Sequence, residues 1–191
     1  MGFSEMTMRW LRLFAILLLV PLAACATNTR SSTYLVGERG PYGLDSGDVV
    51  RVSVYGEPDL TKSYQVDDSG AVALPLVGPI NVRGKTTQLA AAAITAALAS
   101  GYIREPSVAV EIEAYRPFYI QGSVVNGGQF PYVYGMTVRA AVSTAGGFVD
   151  VAERGKVIIY RRQGNQMIKG AVDLDFPIYP GDTIVVGERW L

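Results

Sequence analysis

Hydrophobic and polar positions along this chain fall mostly into short alternating runs punctuated by glycine and proline. Val49-Val50-Arg51-Val52-Ser53-Val54-Tyr55 is β-branched and partly alternating, and the turn Ser46-Gly47-Asp48 launches it as a strand. Gly56-Glu57-Pro58-Asp59-Leu60 breaks that run. A second strand around Ser63–Val66 meets Asp67-Asp68-Ser69-Gly70, a hairpin signal, and is predicted to return as Ala71–Leu74. Pro75 and Gly78-Pro79 interrupt this edge before Ile80-Asn81-Val82. The period then lengthens. Thr86–Ala99 is alanine-rich, with Thr86 placed to cap the start of a helix and Gly101 to stop it. Leu89, Ile94 and Leu98 are expected to share its apolar face. Val108–Tyr115 alternates cleanly, with Val108, Val110 and Ile112 inward and Glu111 and Glu113 outward.

A second unit follows Arg116-Pro117. Phe118–Val124 reads as a strand, Val125-Asn126-Gly127-Gly128 as a turn and Gln129–Tyr134 as the returning strand. Thr137–Ala145 predicts a short helix stopped by Gly146-Gly147. Strands are expected at Lys156–Arg161, Gln166–Val172 and, after Pro180-Gly181-Asp182, at Thr183–Val186. A hairpin, a helix and two or three further strands is the order of a β-grasp module. Gly47-Asp48-Val49-Val50 echoes Gly181-Asp182-Thr183-Ile184, which reads as shared turn-to-strand chemistry, without establishing a repeat. The fold class predicted is α+β, with two small domains.

The longest apolar run stands apart at the start. Arg9 and Arg12 precede Leu13–Pro21, and small residues lead to Leu22-Ala23-Ala24-Cys25. A basic segment, a short apolar core and a small-residue end are the layout of a secretory signal. The run is short for a bilayer core of roughly 30 Å, which takes about 20 residues to span. Leu22-Ala23-Ala24-Cys25 resembles the lipobox of bacterial lipoproteins, which implies cleavage after residue 24 and lipidation of Cys25. Ala26 after the cysteine, where Asp would favour inner-membrane retention, implies the outer membrane. Residues 26–38 are polar and small, as suits a flexible tether.

Composition narrows the chemistry. The 191 residues hold 17 Lys+Arg, 17 Asp+Glu, one cysteine and no histidine. Removing residues 1–24 takes away only Arg9, Arg12 and Glu5, so the remainder stays within one charge of neutral. A neutral chain lacks the field that nucleic-acid binding needs, so no nucleic-acid partner is expected. Without histidine there is no Ser-His-Asp site and no His-ligated zinc. Neither a metal nor another cofactor is expected, and one cysteine forms no intramolecular disulfide.

The ordered turns resemble the bacterial polysaccharide export family. In the first unit the likeness rests on Tyr42–Val50, Val54–Leu60, Val66–Gly70, Leu74-Pro75-Leu76-Val77-Gly78 and Glu105-Pro106-Ser107-Val108. In the second it rests on Gly122-Ser123-Val124, Thr137–Ala141, Ala145-Gly146-Gly147-Phe148 and Pro180-Gly181-Asp182. Gly127-Gly128 stands where relatives often carry Pro-Gly, a substitution a turn accommodates. The resemblance implies a signal peptide at 1–24, a lipidated tether at 25–41, a polysaccharide export domain at 42–115 and a soluble-ligand-binding β-grasp (SLBB) domain at 116–191. It resembles the short class of the family, without the C-terminal amphipathic helix of large relatives. The implied role is non-enzymatic: a homo-oligomeric ring subunit on the periplasmic face of the outer membrane, passing capsular polysaccharide or exopolysaccharide. The implied partners are the polysaccharide, an inner-membrane co-polymerase and a separate outer-membrane β-barrel pore. A monomeric, lipid-tethered carbohydrate-binding or scaffold module is the alternative.

Several residues carry a sharper reading beside a plainer one. Asp67-Asp68 could act as an acid–base pair, but Asp is also a turn former, which is the expectation here. Arg161-Arg162 could grip an anionic sugar; a solvated strand end is the expected account. Tyr115, Tyr119, Tyr132 and Tyr134, with Phe118 and Phe130, could stack sugars or pack the sheet, and packing is expected. Glu111 and Glu113 could line a channel or face water; their spacing fits both.

Overall fold

Alternating valines build the first sheet. A computed structural model describes residues 40–164 and 166–189, and in it β1 (Val49–Val54) turns Val50, Val52 and Val54 inward and Arg51 outward. β1 pairs antiparallel with β2 (Lys62–Gln65) on one side and β5 (Val108–Ala114) on the other. The expected hairpin across Asp67–Gly70 forms differently. β2 pairs with β1, whereas β3 (Ala71–Leu74) pairs with β4 (Gly78–Asn81) in a separate two-stranded ladder. Gly70 explains the divergence, because its carbonyl accepts Val82 and Arg83 N–H groups and so turns the chain toward the later strand. Pro75–Val77 is therefore a hairpin tip. Pro79, opposite Ala73, sits in a strand of only one partner, where a missing N–H costs little.

Helix α1 (Thr87–Ala99) starts where Thr86 accepts a hydrogen bond from Leu89 N–H. Its buried row is Ala90, Ile94 and Leu98, spaced four apart. Leu89 had been expected in that row, but it lies one residue off it and is 57% exposed. The row packs on the sheet with Leu44, Val66, Val72, Leu74, Val82 and Val110 to form the first core. Burying each large aliphatic side chain contributes about 1.5–3 kcal/mol.

The second core is built on a five-stranded mixed sheet ordered β7-β6-β10-β8-β9. Its strands are β6 (Phe118–Gly122), β7 (Gly128–Phe130), β8 (Lys156–Gln163), β9 (Gln166–Asp173) and β10 (Thr183–Val186). β10 runs parallel to β6 and antiparallel to β8. Helix α2 (Val138–Thr144), capped by Thr137, adds Val138, Ala141 and Val142 to Phe118, Ile120, Ile159, Ile178 and Ile184. This is the β-grasp arrangement. The strand expected at Gln129–Tyr134 is shorter, because Pro131 ends it and Tyr132 turns into the core. Gly122 has φ +92, and a Cβ there would meet Val186 O at 2.1 Å, so this crossing admits only glycine.

Candidate functional site

Two turns of the same design open β1 and β10. In Asp45-Ser46-Gly47-Asp48, Asp48 N–H donates to Asp45 O at 3.1 Å; in Tyr179-Pro180-Gly181-Asp182, Asp182 N–H donates to Tyr179 O at 3.1 Å. The glycines have φ +92 and +83. Each aspartate carboxylate then bends back to accept the N–H three residues earlier, Asp45 at 2.9 Å and Tyr179 at 2.7 Å. Each glycine N–H and aspartate carbonyl also bonds to the neighbouring chain: Val66 in the first turn, Pro117 and Tyr119 in the second. Both aspartates are buried, at 0% and 1% exposure.

Their arginine partners differ. Asp182 takes a two-pronged contact from Arg161 of β8, Nε at 2.8 Å and Nη2 at 2.7 Å, and Arg161 also donates to Pro177 O. The same guanidinium lies 4.1 Å over the Tyr179 ring and 5.6 Å from that of Phe176. Asp48 instead reaches across to the connection between the cores. It accepts Arg116 N–H at 2.9 Å and Arg116 Nη1 at 3.4 Å, while Tyr42 Oη donates to it at 2.7 Å. Arg116 Nη1 donates to Tyr42 Oη at 2.9 Å, closing the triangle. Burial, reinforced by the Asp48 carboxylate, raises the Tyr42 hydroxyl far above the ordinary tyrosine range and keeps it a donor.

Arg116 touches both turns. A Cβ on Gly47 would stand 3.4 Å from Arg116 Cβ, and one on Gly181 would stand 3.0 Å from its Nε. An edge-to-face ladder reinforces the junction, with Tyr42–Tyr115 centroids 4.9 Å apart and Tyr115–Tyr132 centroids 5.4 Å apart. The two cores are thereby clasped through one arginine, one buried carboxylate and three tyrosines. Arg83 extends the clasp over the first turn, with Nη2 on Ser46 Oγ at 2.7 Å and on Asp68 O at 2.6 Å.

An open groove of about 380 Å³ lies beneath the β8–β9 hairpin. It exists because β10 pairs with β8 only at Ile158–Tyr160, while the hairpin continues to Gln163 and Gln166. Gly170 opposite Ile159 leaves a gap in its floor. Ile168, Val172, Phe176 and Tyr179 make most of the wall, with Arg161 and Gln163 at the polar end.

The residues singled out in the sequence fall as follows. Cys25, the expected lipidation site, lies outside the described residues. Asp67 is a turn residue: its Oδ1 accepts Ser69 Oγ and Ala71 N–H, and the Ser69 hydroxyl, then the Ala71 amide, lowers its pKa. An exposed carboxyl held ionised is poorly suited to act as an acid. Arg162 is exposed, whereas Arg161 is not the solvated strand end expected, because Asp182 draws it into the structure. Phe118 and Phe130 stack at 5.9 Å, Tyr115 and Tyr132 join the clasp, and Tyr119 and Tyr134 are exposed. Glu111 and Glu113 face outward, and Glu113 accepts a hydrogen bond from Ser63 Oγ. Among the described residues, no helix is long and apolar enough to cross a membrane.

Sequence reading missed the clasp, although its signal was present: aspartate directly after the glycine of a strand-opening turn. Fold and junction together define a two-domain α+β protein whose second domain is a β-grasp module. The chain belongs to the polysaccharide biosynthesis/export family, which matches residues 36–113, and an SLBB domain matches residues 117–169. The chain is 35% identical over 121 aligned positions to the exopolysaccharide production protein ExoF of Rhizobium meliloti (strain 1021), covering 51% of this chain and 29% of that protein. It is 29% identical over 165 positions to the polysialic acid transport protein KpsD of Escherichia coli, covering 81% of this chain and 29% of that one. It is 26% identical over 160 positions to the EPS I polysaccharide export outer membrane protein EpsA of Ralstonia solanacearum, covering 70% of this chain and 42% of that protein. The chain thus spans less than half the length of each of these relatives.

Proposed function

We propose that this protein is a subunit of a homo-oligomeric ring that exports capsular polysaccharide or exopolysaccharide from the periplasmic face of the outer membrane. Cys25 is the lipid anchor, residues 25–41 the tether, and the two clasped domains (42–115 and 116–191) the body of the subunit. The role is non-enzymatic. The ring is a passive hydrophilic conduit, moved through by polymer that an inner-membrane co-polymerase delivers, and a separate outer-membrane β-barrel completes the path.

The observation that carries this reading is the ordered match of an export domain and an SLBB domain, which coincides with two cores clasped through Arg116. Relatives named for polysaccharide production, transport and export support it. The clasp supports it physically, because subunits of a closed ring need one fixed angle between their contact surfaces. Native mass measurement of the acylated protein in detergent tests the reading: a discrete multi-subunit mass is expected. A single-subunit mass would instead favour a monomeric, lipid-tethered carbohydrate-binding module.

A further inference from the structure

The tip of the β3–β4 hairpin is apolar where exposed surface is ordinarily polar. From Ala71 to Ile80 every side chain is apolar or glycine, yet Ala73, Pro75, Leu76 and Pro79 face solvent. Leu76 is 62% exposed and has φ +73. Glycine occupies that left-handed region two residues later, at Gly78 with φ +76, whereas a branched side chain at Leu76 is strained there. Strain of this kind persists where other interactions outweigh it, and within the chain an exposed leucine gains little packing. Exposed apolar patches of this sort mark docking sites.

We propose that the Leu76 hairpin tip of one copy docks into the groove beneath the β8–β9 hairpin of the next. The groove offers Ile159, Ile168, Val172, Phe176 and Tyr179 around the gap left by Gly170. At about 380 Å³ it has room for a leucine and its flanking turn, since a void of about 150 Å³ already holds a benzene ring. Charge selects the occupant. The tip carries none, and the groove's Arg161 is already neutralised by Asp182. The wall is mostly aliphatic and aromatic, its polar groups being Arg161, Gln163 and the Tyr179 hydroxyl, with Arg161 already engaged by Asp182, so an uncharged apolar knob matches the larger part of it.

Knob and groove are separate patches on different domains of a clasped chain, so a head-to-tail contact passes from copy to copy and closes into a ring when the rotation allows. The inference rests on the ring reading above and names the surfaces that build it.

The test is native mass measurement of the full acylated chain with Leu76→Gly and, separately, Ile168→Asp. Leu76→Gly removes the knob and relieves the backbone, so its melting temperature should equal or exceed that of the parent. Its subunit dissociation constant should nonetheless rise about 30-fold, as expected for one large apolar side chain lost from an interface. Ile168→Asp should weaken assembly at least as much. A chain carrying both Leu76→Cys and Ile168→Cys should cross-link into a ladder that neither single variant gives. If the parent is oligomeric and both variants assemble with unchanged affinity, the docking is overturned while the ring reading stands. If the parent is a monomer, both fall. Unchanged mass, with weakened co-sedimentation of Leu76→Gly on phosphatidylglycerol vesicles in a Cys25→Ser background, would assign the tip to a lipid surface and overturn the proposal.

Discussion

The turns at 45–48 and 179–182 share a backbone path, a left-handed glycine and a buried aspartate that accepts the N–H three residues back. They do different work because their arginines come from different places. Arg161 lies on a strand of the same core, so Asp182 closes the β-grasp domain upon itself. Arg116 lies in the connection between cores, so Asp48 ties one domain to the next. One local design thus serves closure in one place and coupling in the other, and the choice is made entirely by a distant partner.

The largest expected effects come from removing either carboxylate. Asp48→Ala and Asp182→Ala each remove a buried carboxylate and strand a half-buried arginine and several donors, a loss of about 3 kcal/mol. They should differ in where the loss appears. Calorimetry with amide exchange should show Asp48→Ala separating the unfolding of the two cores, whereas Asp182→Ala should loosen β8 and β10 and spare β1. If Asp182→Ala exposed both cores equally and Asp48→Ala separated neither, the distinction would collapse.

Next in size are the glycines. Gly181→Ala must adopt a left-handed backbone and push Arg116 Nε from 3.0 Å, a cost of about 2 kcal/mol. Gly47→Ala meets Arg116 at an ordinary 3.4 Å and should lose only about 1 kcal/mol, mostly backbone strain. Urea midpoints of the two variants compare them directly, and equal losses would deny Arg116 its contact with the second turn.

An effect as small as that of Gly47→Ala is expected at Tyr42, where Tyr42→Phe should cost about 1 kcal/mol at neutral pH. The hydroxyl's pKa is raised in the folded state, chiefly by burial and then by Asp48. Its contribution is therefore complete below the unfolded tyrosine value of about 10 and declines as pH rises above it. Stability of the parent should fall from pH 10 upward more steeply than that of Tyr42→Phe; parallel curves would place Tyr42 outside the network.

Much of this fold was legible because it is written in short-range pattern. Alternation marked β1 and β5, Thr86 and Thr137 marked both helix starts, and Pro180-Gly181-Asp182 marked the turn into β10. What stayed hidden depends on long-range partners. Asp67-Asp68-Ser69-Gly70 looks like a hairpin in isolation, but Gly70 is claimed by Val82 and Arg83. Arg161 looks solvated until Asp182, 21 residues on, draws it inward. Arg116 and Asp48 are 68 residues apart, beyond any local period. The groove arises from unequal strand lengths, which alternation alone does not set.

The central claim is a part in polysaccharide export, and deletion tests it most directly. Surface polysaccharide, measured by labelling intact cells, should be lost on deletion and restored by the parent gene. Polysaccharide retained at the parental level after deletion would contradict the account.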